Sequence, residues 1–151
     1  MTLLVILILL ALVVFFGIGI YNRLVTARNN FKNAFAQIDV QLTRRYDLIP
    51  NLVETVKGYA AQEATIFIAV AEARAGLAGA VQSGNVAQMA TANDQMTGAL
   101  GRLLAISENY PQLKSDALFR DLTAQLEGTE NRITVARNRY IKTVQEYNTT
   151  V

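Results

Sequence analysis

The hydrophobic pattern begins with an uninterrupted apolar stretch, TLLVILILLALVVFFGIGI, from Thr2 to Ile20. The stretch contains no charge, Asn, Gln or Pro, so a helix formed from it lacks the polar face that a helix of a soluble core shows. Its 19 residues would rise about 28 Å as a helix, close to the roughly 30 Å hydrocarbon core of a bilayer. The pattern therefore predicts a transmembrane anchor over residues 1–22.

A cleaved signal peptide is the alternative, because Gly17-Ile18-Gly19 places small residues where a signal peptidase would cut. However, no Lys or Arg precedes the apolar run, and the run is longer than the core of about 7–15 residues typical of signal peptides. Tyr21 and Arg23 then follow at once, an aromatic and a cation at the level of a membrane interface. We therefore expect a retained anchor.

Beyond the anchor, apolar positions recur every three or four residues and nowhere alternate as in a strand. Residues 21–45 lack Gly and Pro, which predicts that the anchor helix continues into water. Pro50 predicts a turn or sharp kink within residues 44–51, with Asp47 capping a second helix. We expect that helix to loosen into a connection between Gly76 and Asn85.

Two further helices are predicted, at about 86–107 and from a cap at Ser115 or Asp116 to about Thr149. The last helix carries a seven-residue repeat, which is typical of a supercoiled seam. The repeat consists of Phe119, Leu126, Ile133, Tyr140 and Tyr147. The predicted fold is all-α: an N-terminal transmembrane helix continuous with an antiparallel up-down four-helix bundle over residues 23–151.

Charge is unevenly distributed along the chain. Residues 23–45 contain five cations and one anion, a net charge of +4, whereas residues 46–151 contain nine cations and eleven anions. The basic excess lies next to the anchor and is not the footprint of a nucleic-acid-binding protein. By the positive-inside rule, Arg23, Arg28 and Lys32 predict a cytoplasmic body and a short N-terminus outside the cell membrane.

The chain contains no Cys and no His. Disulfides, thiolate nucleophiles, ordinary zinc sites and imidazole acid–base catalysis are therefore excluded. A ferritin-type di-metal bundle requires Glu-x-x-His pairs, and no Gly-rich loop joins a strand to a helix as in nucleotide-binding folds. We expect no metal, no cofactor and no enzymatic activity.

The segment Ile38–Val53, IDVQLTRRYDLIPNLV, resembles the LemA family of bacterial membrane proteins. The resemblance covers most of the chain outside the middle connection, and further matching segments are Val56–Tyr59, Glu108–Pro111, Thr129–Ile133 and Tyr147–Asn148. It implies a single N-terminal span followed by an antiparallel helical bundle. Because the family has no settled enzymatic activity, the resemblance implies no catalytic residues.

The chain departs from the family pattern in two places. Family members usually continue past the Tyr-Asn pair, so we expect that a C-terminal tail is missing after Val151. Gln62 stands where the family often has a His before the Glu of the second helix. A role for a titrating imidazole at that position is therefore not expected here.

Polar residues near the predicted bend and on the last helix form the one candidate site. The bundle residues are Asp39, Arg44, Arg45, Asp47, Asn51, Glu130 and Arg137. They either close the turn and pair with the last helix or form a binding site for a ligand or partner. We expect Glu130 and Arg137 to be buried with Arg44 or Asn51, setting helix register, and Arg137→Ala to be strongly destabilising.

Two function classes follow. The first is a non-catalytic bundle anchored in the bacterial inner membrane that forms homo-oligomers or recruits an unidentified envelope protein, with Gly17, Gly19 and the Ala-rich second helix supplying close contacts. The second is a lipid-sensing module in which Arg23, Arg28 and Lys32 contact headgroups. The alternative to the first class is that these small residues only pack within one chain. The alternative to the second class is that the three cations only set the topology. The size of the detergent-solubilised protein and the binding of the anchor-less body to anionic vesicles separate the two classes.

Overall fold

The computed structural model describes the backbone of residues 1–150 and the side chains of residues 1–149. Within this range the chain is all-α, as predicted, and contains no strand. The elements are α1 (Thr2–Ala60), α2 (Ala64–Ser83), α3 (Val86–Ala105), a 3-10 turn (Ile106–Glu108), α4 (Pro111–Ser115) and α5 (Ala117–Thr150).

The chain divides into two compact units. The anchor unit comprises Met1–Gln37 and Val135–Val151, and the body unit comprises Ile38–Thr134. Helices α1 and α5 each contribute residues to both units, whereas α2, α3 and α4 belong to the body unit alone.

The core of the body unit is built from one face of each long helix. The buried side chains of this core include Leu42, Ile49, Leu52 and Val56 on α1, Val70 and Leu77 on α2, Met89, Met96 and Leu103 on α3, Leu113 on α4, and Phe119, Leu122, Leu126 and Ile133 on α5. Spacings of three and four residues place each set on one side of its helix. The seven-residue repeat predicted for the last helix is therefore buried over its first three positions.

Helix α1 continues through Pro50 to Ala60, so the turn predicted at residues 44–51 and the cap at Asp47 are wrong. The buried face runs in phase across the proline, from Leu42 to Ile49 and on to Leu52. Burial of that continuous face outweighs the hydrogen bond that a proline removes from a helix interior.

The first reversal of the body unit instead lies at residues 61–63, inside the predicted second helix. The Glu63 amide donates to the Ala60 carbonyl oxygen there at 3.1 Å. Helix α2 continues through Gly76 and Gly79 and ends at Gly84, which has a φ of 66°. Among the described residues only Gly84 takes the left-handed conformation that favours glycine, so the predicted loosening from Gly76 onward is also wrong.

The predicted boundaries of the last two long helices are close to those observed. Asn85 caps α3, its side chain accepting hydrogen bonds from the amides of Ala87 and Gln88. Asp116 Oδ1 accepts from the Phe119 amide at 2.8 Å at the start of α5. The cap at Asp116 agrees with the expected cap at Ser115 or Asp116, whereas no cap was expected at Asn85.

The anchor unit pairs the segment of α1 that follows the apolar stretch with the end of α5. The Phe31 ring lies 5.3 Å from the Tyr140 ring and 6.5 Å from the Tyr147 ring, measured between centroids. The Phe35 ring lies 6.4 Å from the same Tyr140. Arg139 donates to Gln37 Oε1 at 3.0 Å. Because residue numbers rise on one helix as they fall on the other, the two segments are antiparallel.

Candidate functional site

The most deeply buried charge in the body unit is the guanidinium of Arg45, whose residue is 3% exposed. Arg45 lies on α1 between Leu42 and Ile49, on the face that packs into the core. A charge in this position requires compensating hydrogen bonds, because an unpaired buried cation is strongly destabilising.

Side chains from two other helices provide that compensation. Arg45 Nη1 donates to Asn93 Oδ1 and to Glu130 Oε2, and Nη2 donates to Thr97 Oγ1 at 3.0 Å. Asn93 Nδ2 also donates to Glu130 Oε1 at 3.4 Å. We call these four residues the Arg45 cluster. It joins α1, α3 and α5 at one level of the body unit.

The electrostatics of the cluster are those of a buried ion pair with one solvent-facing partner. Burial lowers the pKa of Arg45 from its ordinary value, while the charges of Glu130 and Asp94 act in the opposite direction. The Glu130 side chain is 34% exposed, so water reaches the carboxylate. An arginine remains protonated in proteins, and the cluster therefore offers hydrogen-bonding specificity and not proton transfer.

Two buried atoms next to the cluster have no hydrogen-bond partner among the described residues. They are Arg45 Nε and Gln41 Oε1, a donor and an acceptor one helical turn apart on α1.

The structure brings together only two residues of the predicted polar set, Arg45 and Glu130. Arg44, Asp47, Asn51 and Arg137 are exposed, and Asp39 is half-buried. The expected burial of Arg137 with Arg44 or Asn51 is therefore wrong. The physical reason is the continuity of α1, since without a bend at residues 44–51 the side chains of Arg44, Asp47 and Asn51 lie together on one exposed face of the helix.

Sequence reasoning did not find Asn93 and Thr97. The usable signal is the position of Asn93 on the apolar face of α3, one turn from Met89 and from Met96. A short amide within a run of buried apolar positions requires a polar partner. Thr97, one turn further, also donates from Oγ1 to the Asn93 carbonyl oxygen at 2.9 Å.

A groove of about 320 Å³ separates α1 from α2, with Ile49, Pro50, Val53 and Val70 among its lining residues. Two cation–π contacts lie beside this groove. Lys57 Nζ is 5.5 Å from the centroid of the Phe67 ring, and Arg74 Cζ is 3.8 Å from the centroid of the Tyr46 ring. These stacked cations tie α2 to α1.

Another polar contact joins the end of α1 to the start of α5. The Tyr59 hydroxyl donates to Asp116 Oδ2 at 2.9 Å. The Phe119 amide and the Tyr59 hydroxyl lower the pKa of Asp116. The same hydrogen bond and the charge of Asp116 raise the pKa of Tyr59. The contact is therefore strongest with an ionised aspartate and a neutral tyrosine.

In the anchor unit, a second groove of about 540 Å³ is lined by Ile20, Asn22, Arg23, Thr26, Ala27, Asn30, Glu146 and Thr149. Of the three cations expected to contact headgroups, Arg23 is in this lining, whereas Arg28 and Lys32 are exposed elsewhere on α1. Among the described residues, no group of three or more His, Cys, Asp or Glu side chains is placed to hold a metal ion.

The chain is similar to a known protein family and to several known proteins. Residues 34–151 match the model of the LemA family. The chain is also 27% identical to Magnetosome protein MamQ 1 and to Magnetosome protein MamQ 2 of Paramagnetospirillum magneticum, with 85% of this chain and 56% of each relative covered. Magnetosome protein MamQ of Magnetospirillum gryphiswaldense is 27% identical over 87% of this chain and 57% of its own length. The chain thus spans just over half the length of these relatives.

Proposed function

This chain belongs to the LemA family, and we propose on that basis that it is a non-catalytic helical protein anchored in the bacterial inner membrane by one span, where it self-associates or recruits a partner. The observation that carries the proposal is the apolar half of α1. From Leu3 to Ile20, every large hydrophobic side chain is 52–78% exposed. A continuous apolar surface of that kind supports insertion into a bilayer.

Helix α2 also has the length and composition of a membrane span, but its environment supports a role in the body unit. It carries Glu72 and Arg74 near its centre, and such charges are expensive inside a bilayer. Phe67, Val70 and Leu77 are buried in the protein. The apolar window of α1, by contrast, has none of its residues buried. A single span is therefore the better proposal.

The orientation we propose places the N-terminus outside and the body unit in the cytoplasm. The positive-inside rule supports this orientation, because three cations directly follow the apolar stretch, namely Arg23, Arg28 and Lys32. The chain has no cysteine, so a single introduced cysteine is a unique label. We expect Thr2→Cys to react with an impermeant maleimide in intact cells and Asn109→Cys only after permeabilisation. The reverse pattern would reject this orientation.

Self-association is supported by an exposed stripe of small and apolar residues along α2. The stripe consists of Ala64, Ile68, Ala71, Ala75 and Gly79, all exposed. Ile68 is 57% exposed at its centre. Small residues allow helices to approach closely, and an isoleucine in such a stripe supplies apolar area to bury.

Light scattering on the detergent-solubilised full chain tests self-association. We expect a discrete oligomer that Ile68→Glu dissociates. Thr65→Glu is the matched control, because it adds the same charge to an exposed position of the same helix outside the stripe. Crosslinking in native membranes then identifies foreign partners. A monomer by light scattering with no crosslinked partner would reject both forms of the proposal.

The second candidate function is recognition of the membrane surface by Arg23, Arg28 and Lys32. The exposure of all three side chains beside the apolar stretch favours it, since each cation near an anionic surface contributes about 1 kcal/mol of attraction. The full chain is reconstituted in vesicles, and the binding of these vesicles to anionic supported bilayers is measured at increasing salt concentration. If the three cations contact the anionic surface, this binding weakens as salt is added. Binding that does not change with salt would argue against this function.

A further inference from the structure

We propose that two copies of this chain pair through α2 as parallel helices in register, with Glu72 of each copy facing Lys57 of the other. The inference rests on the self-association proposed above and specifies its contact. Helix α2 contains a window apolar enough for a membrane span, yet only 22% of that window is buried within the protein. The chain itself thus leaves much of an apolar helix uncovered, and a second copy is the occupant that the pattern and charges of this helix favour.

Four residues of the exposed stripe on α2 have the spacing of a coiled-coil seam. Ala64, Ile68, Ala71 and Ala75 follow one another at intervals of four, three and four residues, which is the seven-residue repeat of a two-stranded coil. We call these four residues the α2 seam. The alanines allow two helices to approach closely, and a β-branched residue at the position of Ile68 in the repeat favours two parallel strands. The seam is therefore suited to pairing with its own copy.

Opposite charges lie on the two sides of the α2 seam. At about 100° of rotation per residue, Glu72 is about 70° to one side of the seam and Phe67 is about 70° to the other. Lys57 Nζ lies 5.5 Å from the centroid of the Phe67 ring, so Lys57 gives the Phe67 side a positive charge. Glu72 has no hydrogen-bond or ion-pair partner among the described residues, and Glu54, which lines the groove beside Phe67, forms no ion pair with Lys57. One side of the seam is thus acidic and the other basic.

The direction of pairing follows from these charges. In a parallel coil, residues on one side of the seam meet residues on the opposite side of the partner's seam. Glu72 of each copy then faces Lys57 of the other, and a twofold axis produces two such pairs. In an antiparallel coil equal sides meet, so Glu72 would face the acidic side of the second copy and both lysines would remain unpaired. Opposite charges at these positions therefore favour the parallel arrangement.

Cysteine crosslinking of the full chain in native membranes tests the direction and register, since the chain has no cysteine of its own. Ala64→Cys and Ala75→Cys are each expected to form a disulfide dimer on mild oxidation, because a disulfide requires Cα atoms within about 7 Å of each other. No antiparallel register places both positions beside their own equivalents. Ala124→Cys, at an exposed position of α5, is the control for random collision and should remain monomeric. A dimer from only one seam position, or seam crosslinking no greater than that of Ala124→Cys, would overturn the proposal.

A charge exchange tests the pairing of Glu72 with Lys57. Glu72→Lys and Lys57→Glu each place like charges together, and each is expected to raise the Kd of the dimer in detergent by about two- to thirtyfold, for two partly exposed pairs. The double variant restores opposite charges and should return the Kd to within about twofold of the wild-type value. Analytical ultracentrifugation measures these values, and circular dichroism checks that each variant is helical. Effects that add in the double variant would overturn the pairing.

Light scattering on the wild-type chain in detergent separates this contact from self-association in general. A discrete oligomer without seam crosslinks and without compensation between the two charges would retain self-association and reject the parallel α2 pair. A monomer would reject both.

Discussion

Arg74 on α2 donates from Nε to the backbone carbonyl oxygen of Tyr46 on α1, with 3.4 Å between the two atoms. Tyr46 is four residues before Pro50, so its carbonyl is the one that loses its helical partner when proline replaces an N–H donor. The guanidinium of Arg74 also stacks on the Tyr46 ring. A side chain from a neighbouring helix thus occupies the place of the missing backbone donor.

This relationship predicts energetic coupling between Arg74 and Pro50. In the wild-type chain, Arg74→Ala removes both the donor and the stacked cation, for an expected loss of about 1.5–3 kcal/mol. In a Pro50→Ala background the helix supplies its own donor, so the same substitution should cost about 1 kcal/mol less. Thermal melting of the four proteins in detergent, followed by circular dichroism, measures the coupling. Additive effects would show that Arg74 does not compensate for the proline.

The Arg45 cluster predicts a contrast between neighbouring arginines. Arg45→Ala leaves the buried Asn93 Oδ1 without the donor from Arg45 and removes the charge that pairs with Glu130, so we expect a loss of about 3 kcal/mol. Arg44→Ala and Arg137→Ala remove exposed side chains and should each change stability by no more than about 0.5 kcal/mol. The melting temperatures of the three variants check this order. Equal melting temperatures would contradict a structural role for the cluster.

The contact between Tyr59 and Asp116 predicts a stability effect confined to a pH window. The pKa of Asp116 is lowered in the fold, so its contribution is present above the ordinary aspartate pKa and is lost as pH falls through the folded value. The pKa of Tyr59 is raised, so its contribution is present below the ordinary tyrosine pKa and is lost as pH rises through the folded value.

Tyr59→Phe removes the hydroxyl and retains the ring. We therefore expect the variant to melt below the wild type at neutral pH and the difference to shrink in both acid and alkali. Melting curves recorded across the pH range check the prediction. A difference that is absent at neutral pH, or constant into strong acid, would show that the hydrogen bond does not contribute.

Gly128 predicts a stabilising substitution. It lies inside α5, and a Cβ atom added there meets no other atom within 4 Å. Gly128→Ala should therefore raise stability by about 0.5–1 kcal/mol through the lower entropy of the unfolded chain. Gly84→Ala is the control, because its φ of 66° strains any other residue and should lower stability. A lower melting temperature for Gly128→Ala would indicate contacts that the structure lacks.

The sequence predicted the features that depend on local pattern. The apolar stretch, the helical class, the cap at Asp116 and the repeat on α5 all follow from residues close together in the chain. The continuity of α1 through Pro50 did not follow from local rules, because the donor that compensates for the proline comes from Arg74, 24 residues further along the chain. A proline rule applied to one helix has no information about its neighbour.

The burial of the candidate site residues likewise depends on the packing between helices. Arg45 and Glu130 were expected among a wider polar set, but their selection depends on which helical face is buried. Once α1 is continuous, Arg45 falls on the buried face in phase with Leu42 and Ile49, while Arg44 falls outside it. Asn93 was missed because a single amide in a run of methionines and alanines is a weak signal without knowledge of its partner.

The central claim is that residues 2–20 of α1 span the bilayer, and alkaline carbonate extraction of cell membranes tests it most directly. We predict that the full chain remains in the membrane pellet. Leu9→Arg, which places a charge near the centre of the span at a cost of about 2.5–3.5 kcal/mol on the insertion scale, should move a substantial fraction to the supernatant. Val40→Arg, which adds the same charge at an exposed position of α1 beyond the span, should have no effect. Quantitative release of the unaltered chain by carbonate would contradict the account.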